Sequence, residues 1–278
     1  MKIEEYQSIL KMANEGKYNE ALEKSNEFVK NNDMKAYELL SDLHILIYEH
    51  SGLKDYLKKA KDYLNLAEKN GLNVSVKKFF LLLHDRNKKS IEKFIEDEKD
   101  IQIKNFLKSL VLLEENKIDK AKELLQQLAI VKPKINEYYI VYYKILFSEK
   151  EYEKALNILR TGIENISDEF IKYDLSAEYF KINYLLNVNN KNLIMGLYAI
   201  ENNRWILMKT NQIETKSIDE FINLIGIDVN DRNHMILVIP MDKKLFDMIK
   251  LDFFSILPEK INKKDFEYMV AQINASIG

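Results

Sequence analysis

One short phrase recurs along this chain and limits what it can fold into. Glu15-Gly16-Lys17-Tyr18-Asn19-Glu20-Ala21-Leu22 returns as Glu115-Asn116-Lys117-Ile118-Asp119-Lys120-Ala121-Lys122 and again as Glu149-Lys150-Glu151-Tyr152-Glu153-Lys154-Ala155-Leu156. Each copy reads as one tight turn between two helices. A glycine or asparagine ends the first helix by tolerating a left-handed backbone. The aromatic or branched residue that follows plugs the seam, and an alanine three residues later lets the second helix approach closely. From Ala121 to Ala155 is 155 − 121 = 34 residues, and from Ala21 to Ala121 is 121 − 21 = 100, close to three such periods. The middle copies, Gly52 to Ala60 and Asn87 to Phe94, are irregular, and the second has no alanine at the contact position.

Only 7 glycines and 3 prolines interrupt the 278 residues, so Leu, Ile, Ala, Lys and Glu recur at helical spacing over long stretches. The pattern predicts helices over 2–15, 18–31, 34–50, 55–69, 73–85, 88–98, 101–115, 118–130, 136–148, 151–165 and 168–186. Five helix pairs and a capping helix fit this count.

The recurring turn resembles the tetratricopeptide repeat family. In that pattern a proline lies twelve residues after the second-helix alanine, and Pro133 lies 133 − 121 = 12 after Ala121. Gly162 supplies the second small residue of the last copy, seven after Ala155. The first-helix tryptophan and Leu-Gly pair are missing, Tyr143 stands where a small residue is expected, and Ser109 alone keeps that position small. The resemblance covers residues 1–186 and implies a mostly α fold, a right-handed helical-hairpin solenoid, acting as a non-enzymatic protein-protein interaction module or scaffold. The family's carboxylate clamp is absent, because its Lys and Asn positions are held here by Tyr6 and Leu10, Phe106 and Leu110, and Ile140 and Lys144. A largely apolar or helical protein or peptide partner is the implied ligand. Phe106, Leu110, Ile140, Lys144 and Phe147 are the candidate partner-binding residues, expected to be at least partly exposed on the concave side. Tyr138, Tyr139, Tyr142, Tyr143 and Phe147 make an aromatic stripe that suits either repeat packing or a peptide groove.

Beyond Asn187-Val188-Asn189-Asn190 the texture changes, and residues 190–278 read as a small C-terminal domain, α+β or helical. Arg204-Trp205-Ile206-Leu207-Met208-Lys209-Thr210 and His234-Met235-Ile236-Leu237-Val238-Ile239-Pro240 are bounded apolar runs of the kind strands make. Between them Ser217, with Glu220 three residues on, has the spacing of a helix-opening capping box. Strand, helix, strand suggests a parallel crossover, followed by helices near 242–256 and 263–276. Irregular helices capping the array are the alternative.

The remaining chemistry is read by exclusion. There is no cysteine, which removes disulfides and thiolate chemistry. No two glycines lie close enough for a phosphate-binding loop. The 42 Lys and Arg balance 44 Asp and Glu, without the excess that holds nucleic acid. The longest apolar runs fall short of the ~20 residues a membrane span needs, and the acidic start Met1-Lys2-Ile3-Glu4-Glu5 lacks a secretory signal, so a cytoplasmic protein without membrane insertion is expected. His44 and His50 fall on different helix faces and His84 stands alone, so all three read as surface or helix-end residues. The polar cluster 228–234 reads as a solvated turn. No catalytic residue, cofactor or metal is expected. The other readings are a small enzymatic or ligand-sensing C-terminal domain regulated by the array, and a structural subunit of a larger assembly.

Overall fold

The computed structural model describes residues 1–278 except 32, 86, 188–190, 230–232, 256, 259, 260 and 278, and except the side chains of 255 and 277. The chain divides into two compact units, Met1–Ala177 and Glu178–Gly278. No described helix is long and apolar enough to cross a membrane.

The large unit is helical. Its elements are α1 (Ile3–Asn14), α2 (Tyr18–Lys30), α3 (Met34–Ser51), α4 (Lys54–Lys69), α5 (Ser75–Asp85), α6 (Lys88–Asp97), α7 (Ile101–Glu114), α8 (Ile118–Val131), α9 (Asn136–Ser148) and α10 (Tyr152–Asn165), with the first part of α11 (Glu169–Asn187). Every helix expected here is present, with ends within a residue or two, because the caps are written in the chain. Asp33, Asn87 and Asp100 each accept a backbone N–H from the first turn they open.

The recurring phrase folds the same way three times. Gly16, Asn116 and Lys150 have φ of 75°, 57° and 66°. In each copy the left-handed residue donates its N–H three residues back, Gly16 to Ala13 at 2.9 Å, Asn116 to Leu113 at 2.9 Å and Lys150 to Phe147 at 3.0 Å. The next residue donates five back, Lys17 to Met12, Lys117 to Leu112 and Glu151 to Leu146. This is the Schellman arrangement, which satisfies the last carbonyls of a helix while reversing the chain. Consecutive helices then pack as α1/α2, α3/α4, α5/α6, α7/α8 and α9/α10. Ala21, Ala121 and Ala155 are completely buried at these turns. Replacing Ala121 or Ala155 with Leu is therefore expected to overpack a closed contact and cost roughly 1–3 kcal/mol. A thermal melt checks it, and a midpoint equal to that of the unaltered protein refutes the contact.

The small unit holds β1 (Asn192–Glu201), β2 (Arg204–Glu214), α12 (Ile218–Leu224), β3 (Gly226–Asp228), β4 (His234–Pro240), α13 (Lys243–Ser255) and α14 (Lys263–Ile277). The expected strands and the Ser217-capped helix are present, with the Ser217 hydroxyl accepting the Glu220 N–H at 3.1 Å. The parallel crossover is not. The sheet runs β2-β1-β4-β3 with every pairing antiparallel, so β1 lies between the two strands that the crossover would have joined. A tight hairpin links β1 to β2 through Asn202 and Asn203, both at positive φ (50° and 60°), the geometry that matches strand twist.

The core of this unit packs Ile194, Tyr198, Trp205, Met235, Leu237 and Ile239 of the sheet against Phe253 of α13 and Phe266, Met269 and Ile273 of α14. Gly196 sits mid-strand because a Cβ there would come within 2.8 Å of the Ile273 Cδ1. At the sheet edge Gln272 of α14 acts as a strand partner, accepting the Leu207 N–H at 2.8 Å and donating to the Trp205 carbonyl at 3.0 Å. That occupies backbone groups an edge strand would leave open to another chain.

Candidate functional site

The residues expected to line a concave groove divide into two groups. Phe106 and Leu110 on α7 are 0% and 4% exposed, which corrects the expectation that they reach solvent. Ile140 and Phe147 on α9 are half-buried, and only Lys144 is exposed. The reason is aromatic packing. Phe106 meets Tyr138 edge-on at 6.2 Å, and the Tyr138 hydroxyl donates to the Leu125 carbonyl of α8 at 3.0 Å. Tyr138, Tyr139, Tyr142 and Tyr143 are all buried, so most of the stripe is core.

In place of an open apolar groove, first helices of several pairs meet through a polar network. Tyr6 of α1 packs on Phe170 of α11 at 4.9 Å, and Gln7 donates to Asp174 at 3.2 Å. Lys35 of α3 holds Asp168 at 2.6 Å and also pairs with Glu38. Lys77 of α5 holds Asp42 at 2.6 Å, with Glu38 and Glu137 of α9 close enough to influence its charge. Burial alone would lower Lys77, yet these carboxylates hold it well above the ordinary lysine range. Burial pushes Glu137 up, partly opposed by Lys77. It also pushes the Tyr6 phenol up, with Asp174 adding to the effect. Burial pushes Asp168 up, but Lys35 and the backbone N–H groups of Ile171 and Phe170 together hold it below the usual carboxylate range. The network is an internal clamp between helices distant in sequence.

His44 differs from the sequence expectation. It is 4% exposed and not on the surface, with its ring beside Tyr63 at 5.3 Å and Tyr56 at 5.9 Å. Its Nδ1 lies 2.7 Å from the Leu40 carbonyl, which can only accept, so Nδ1 carries the proton. Burial lowers the His44 pKa, with the Leu40 carbonyl opposing and Lys59 adding to the shift. The unfolded chain therefore takes up this proton first as pH falls. The stabilisation is intact above about pH 6.5 and is lost progressively below it. Melting temperatures measured at pH 7.5 and pH 5.5 should fall between the two, and less steeply in His44→Gln. An equal slope in the variant would remove His44 as the cause. His50 and His84 do lie toward the surface and at helix ends.

A second polar feature lies between α4, α5 and α6. Four residues after their N-caps α2, α8 and α10 have alanine (21 − 17, 121 − 117 and 155 − 151), whereas α4 has Leu57 (57 − 53) and α6 has Ile91 (91 − 87). None of the side chains of α6 is fully buried. Beside it opens a cleft of about 400 Å³ whose floor is Leu57, Leu81, Leu82 and Phe94. Lys54, Lys58, Lys61 and Lys78 rim it, with Asn65 and Asp85. The signal available in sequence is the Lys54-Lys58-Lys61 spacing on α4.

Among the described residues no group of three or more His, Asp or Glu side chains is placed to hold a metal ion. Of the 228–234 cluster, residues 230–232 lie outside the described residues, Asp228 ends β3 and His234 opens β4 with its side chain exposed. The chain matches no family model and no curated protein.

Proposed function

We propose that residues 1–186 are a degenerate tetratricopeptide-like solenoid that serves as a protein-interaction module, with the C-terminal unit appended to it. The observation that carries the reading is the triple recurrence of one left-handed turn followed by a fully buried alanine, at Gly16/Ala21, Asn116/Ala121 and Lys150/Ala155. An array in which each hairpin packs on its neighbours spreads its surface along one direction, and extended surfaces of that kind bind peptides and helices. Phe106 and Leu110 lie in the core, so that part of the expected concave patch is closed to a partner.

The test uses the full-length chain, immobilised and exposed to an extract of its native cell, followed by reconstitution with the purified candidate. A stoichiometric complex tighter than about 10 μM supports the reading. Failure of every retained protein to rebind when purified, or turnover of a small molecule by the purified chain, overturns it.

A further inference from the structure

We propose that the cleft between α4, α5 and α6 docks an acidic amphipathic helix of another protein. The proposal rests on the interaction-module reading and gives it a site and a partner chemistry. The floor is apolar, formed by Leu57, Leu81, Leu82 and Phe94. Its α4 bank is a stripe of cations, since 58 − 54 = 4 and 61 − 58 = 3 bring Lys54, Lys58 and Lys61 onto one face. All three are exposed, and none forms an ion pair among the described residues.

Several lysines elsewhere on this protein are answered by a neighbouring acid. Lys181 pairs with Glu178 at 2.7 Å, Lys250 with Asp247 at 3.3 Å, and Lys154 with Glu151. At the cleft the same holds only for Lys78, whose ammonium lies 2.6 Å from Glu68. Asp62 of α4 lines the neighbouring depression, with His44 and Tyr63. With Lys78 and Glu68 cancelling, three lysines face one lining carboxylate, Asp85, above an apolar floor.

The distribution of charge selects the occupant. Lys54 to Lys61 spans seven residues, about 10 Å of helix, so the cations are spread over two turns and not gathered around one point. A single anionic headgroup can answer only part of such a row. A helix answers all of it, placing apolar side chains at i, i+3, i+4 and i+7 on the floor and carboxylates along the lysine bank.

The experiment titrates the full-length chain into a fluorescein-labelled peptide of about 16 residues, with Leu at that apolar spacing and Glu on the flanking positions, followed by anisotropy. The expected result is saturable binding that weakens with added salt and by about tenfold or more in the double variant K58E/K61E. Both lysines are exposed, and unchanged circular dichroism verifies that the variant folds. A change of less than about twofold in K58E/K61E puts the peptide elsewhere and overturns the cleft while leaving a protein-binding module. Equal binding of a control peptide with Lys in place of Glu also overturns it. So does palmitate that binds more tightly than the peptide and is lost in the variant, because the cleft then belongs to a small amphiphile. A wild-type chain that holds no protein partner in the capture experiment fails the interaction reading itself.

Discussion

Phe106→Asp is expected to leave the large unit unfolded at ordinary temperature. Phe106 is completely buried on α7, packed against the Tyr138 ring. Removing a buried phenylalanine side chain costs roughly 3–5 kcal/mol. A carboxylate in its place adds the cost of an unpaired buried charge, so the total approaches the roughly 5–15 kcal/mol that holds a domain together. Phe106→Ala keeps the first cost alone and separates the two contributions. Ile140→Asp, at a half-buried position, should leave the fold in place. Urea midpoints followed by ellipticity rank the three. A Phe106→Asp protein that unfolds within error of wild type would mean that α7 turns this face to solvent.

The second large effect is at Gly162. A Cβ there would stand 2.8 Å from the Cγ of Tyr139 and 2.9 Å from the Cδ1 of Leu175. The Leu175 methyl is the end of a flexible side chain and can move. The Tyr139 Cγ is the root of a fully buried ring and cannot swing aside without carrying α9 with it. Gly162→Ala gains about 1 kcal/mol of helix propensity and still loses stability overall. Gly162→Val also brings two γ carbons into the same space, and a loss of about 3 kcal/mol is expected, the upper end of overpacking costs. At the ordinary scaling for units of this size, that is a fall in melting temperature of roughly 6–12 °C. A valine variant as stable as wild type would show that α9 and α10 can separate freely.

Both positions bear on what could be read in advance. The small-residue positions Ala121, Ala155 and Gly162 were legible because a close approach tolerates few residue types, and spacing alone picks them out. The helix ends were legible because Asp33, Asn87, Asp100 and Ser217 carry their own capping chemistry. The facing of α7 and α9 was not. α9 is Asn136-Glu137-Tyr138-Tyr139-Ile140-Val141-Tyr142-Tyr143-Lys144-Ile145-Leu146-Phe147-Ser148, apolar or aromatic around most of its circumference, so its periodicity does not say which side meets a neighbouring pair.

The misread tail has a related cause. β1 pairs on both edges and carries a nearly continuous apolar run from Leu193 to Ile200, without the alternation that marks a half-exposed strand, and Gly196 breaks the run as a turn would. Without β1 the strands at 204 and 234 looked like sequential neighbours. The cleft beside α4 escaped notice because a row of lysines on an exposed helix is the ordinary solvated pattern. Its meaning depends on what lies across from it, which only the packing of α5 and α6 supplies.

Trp205 is the only tryptophan in the chain. It is 5% exposed in the core of the small unit, with its carbonyl held by Gln272. The tryptophan emission, excited selectively over tyrosine, therefore originates in the small unit, while most of the helix, and so most of the far-ultraviolet ellipticity, belongs to the large one. A single denaturant titration followed by both signals monitors the two units separately in the intact chain, with no label and no truncation. Coincident curves would mark one cooperative transition and displaced curves two.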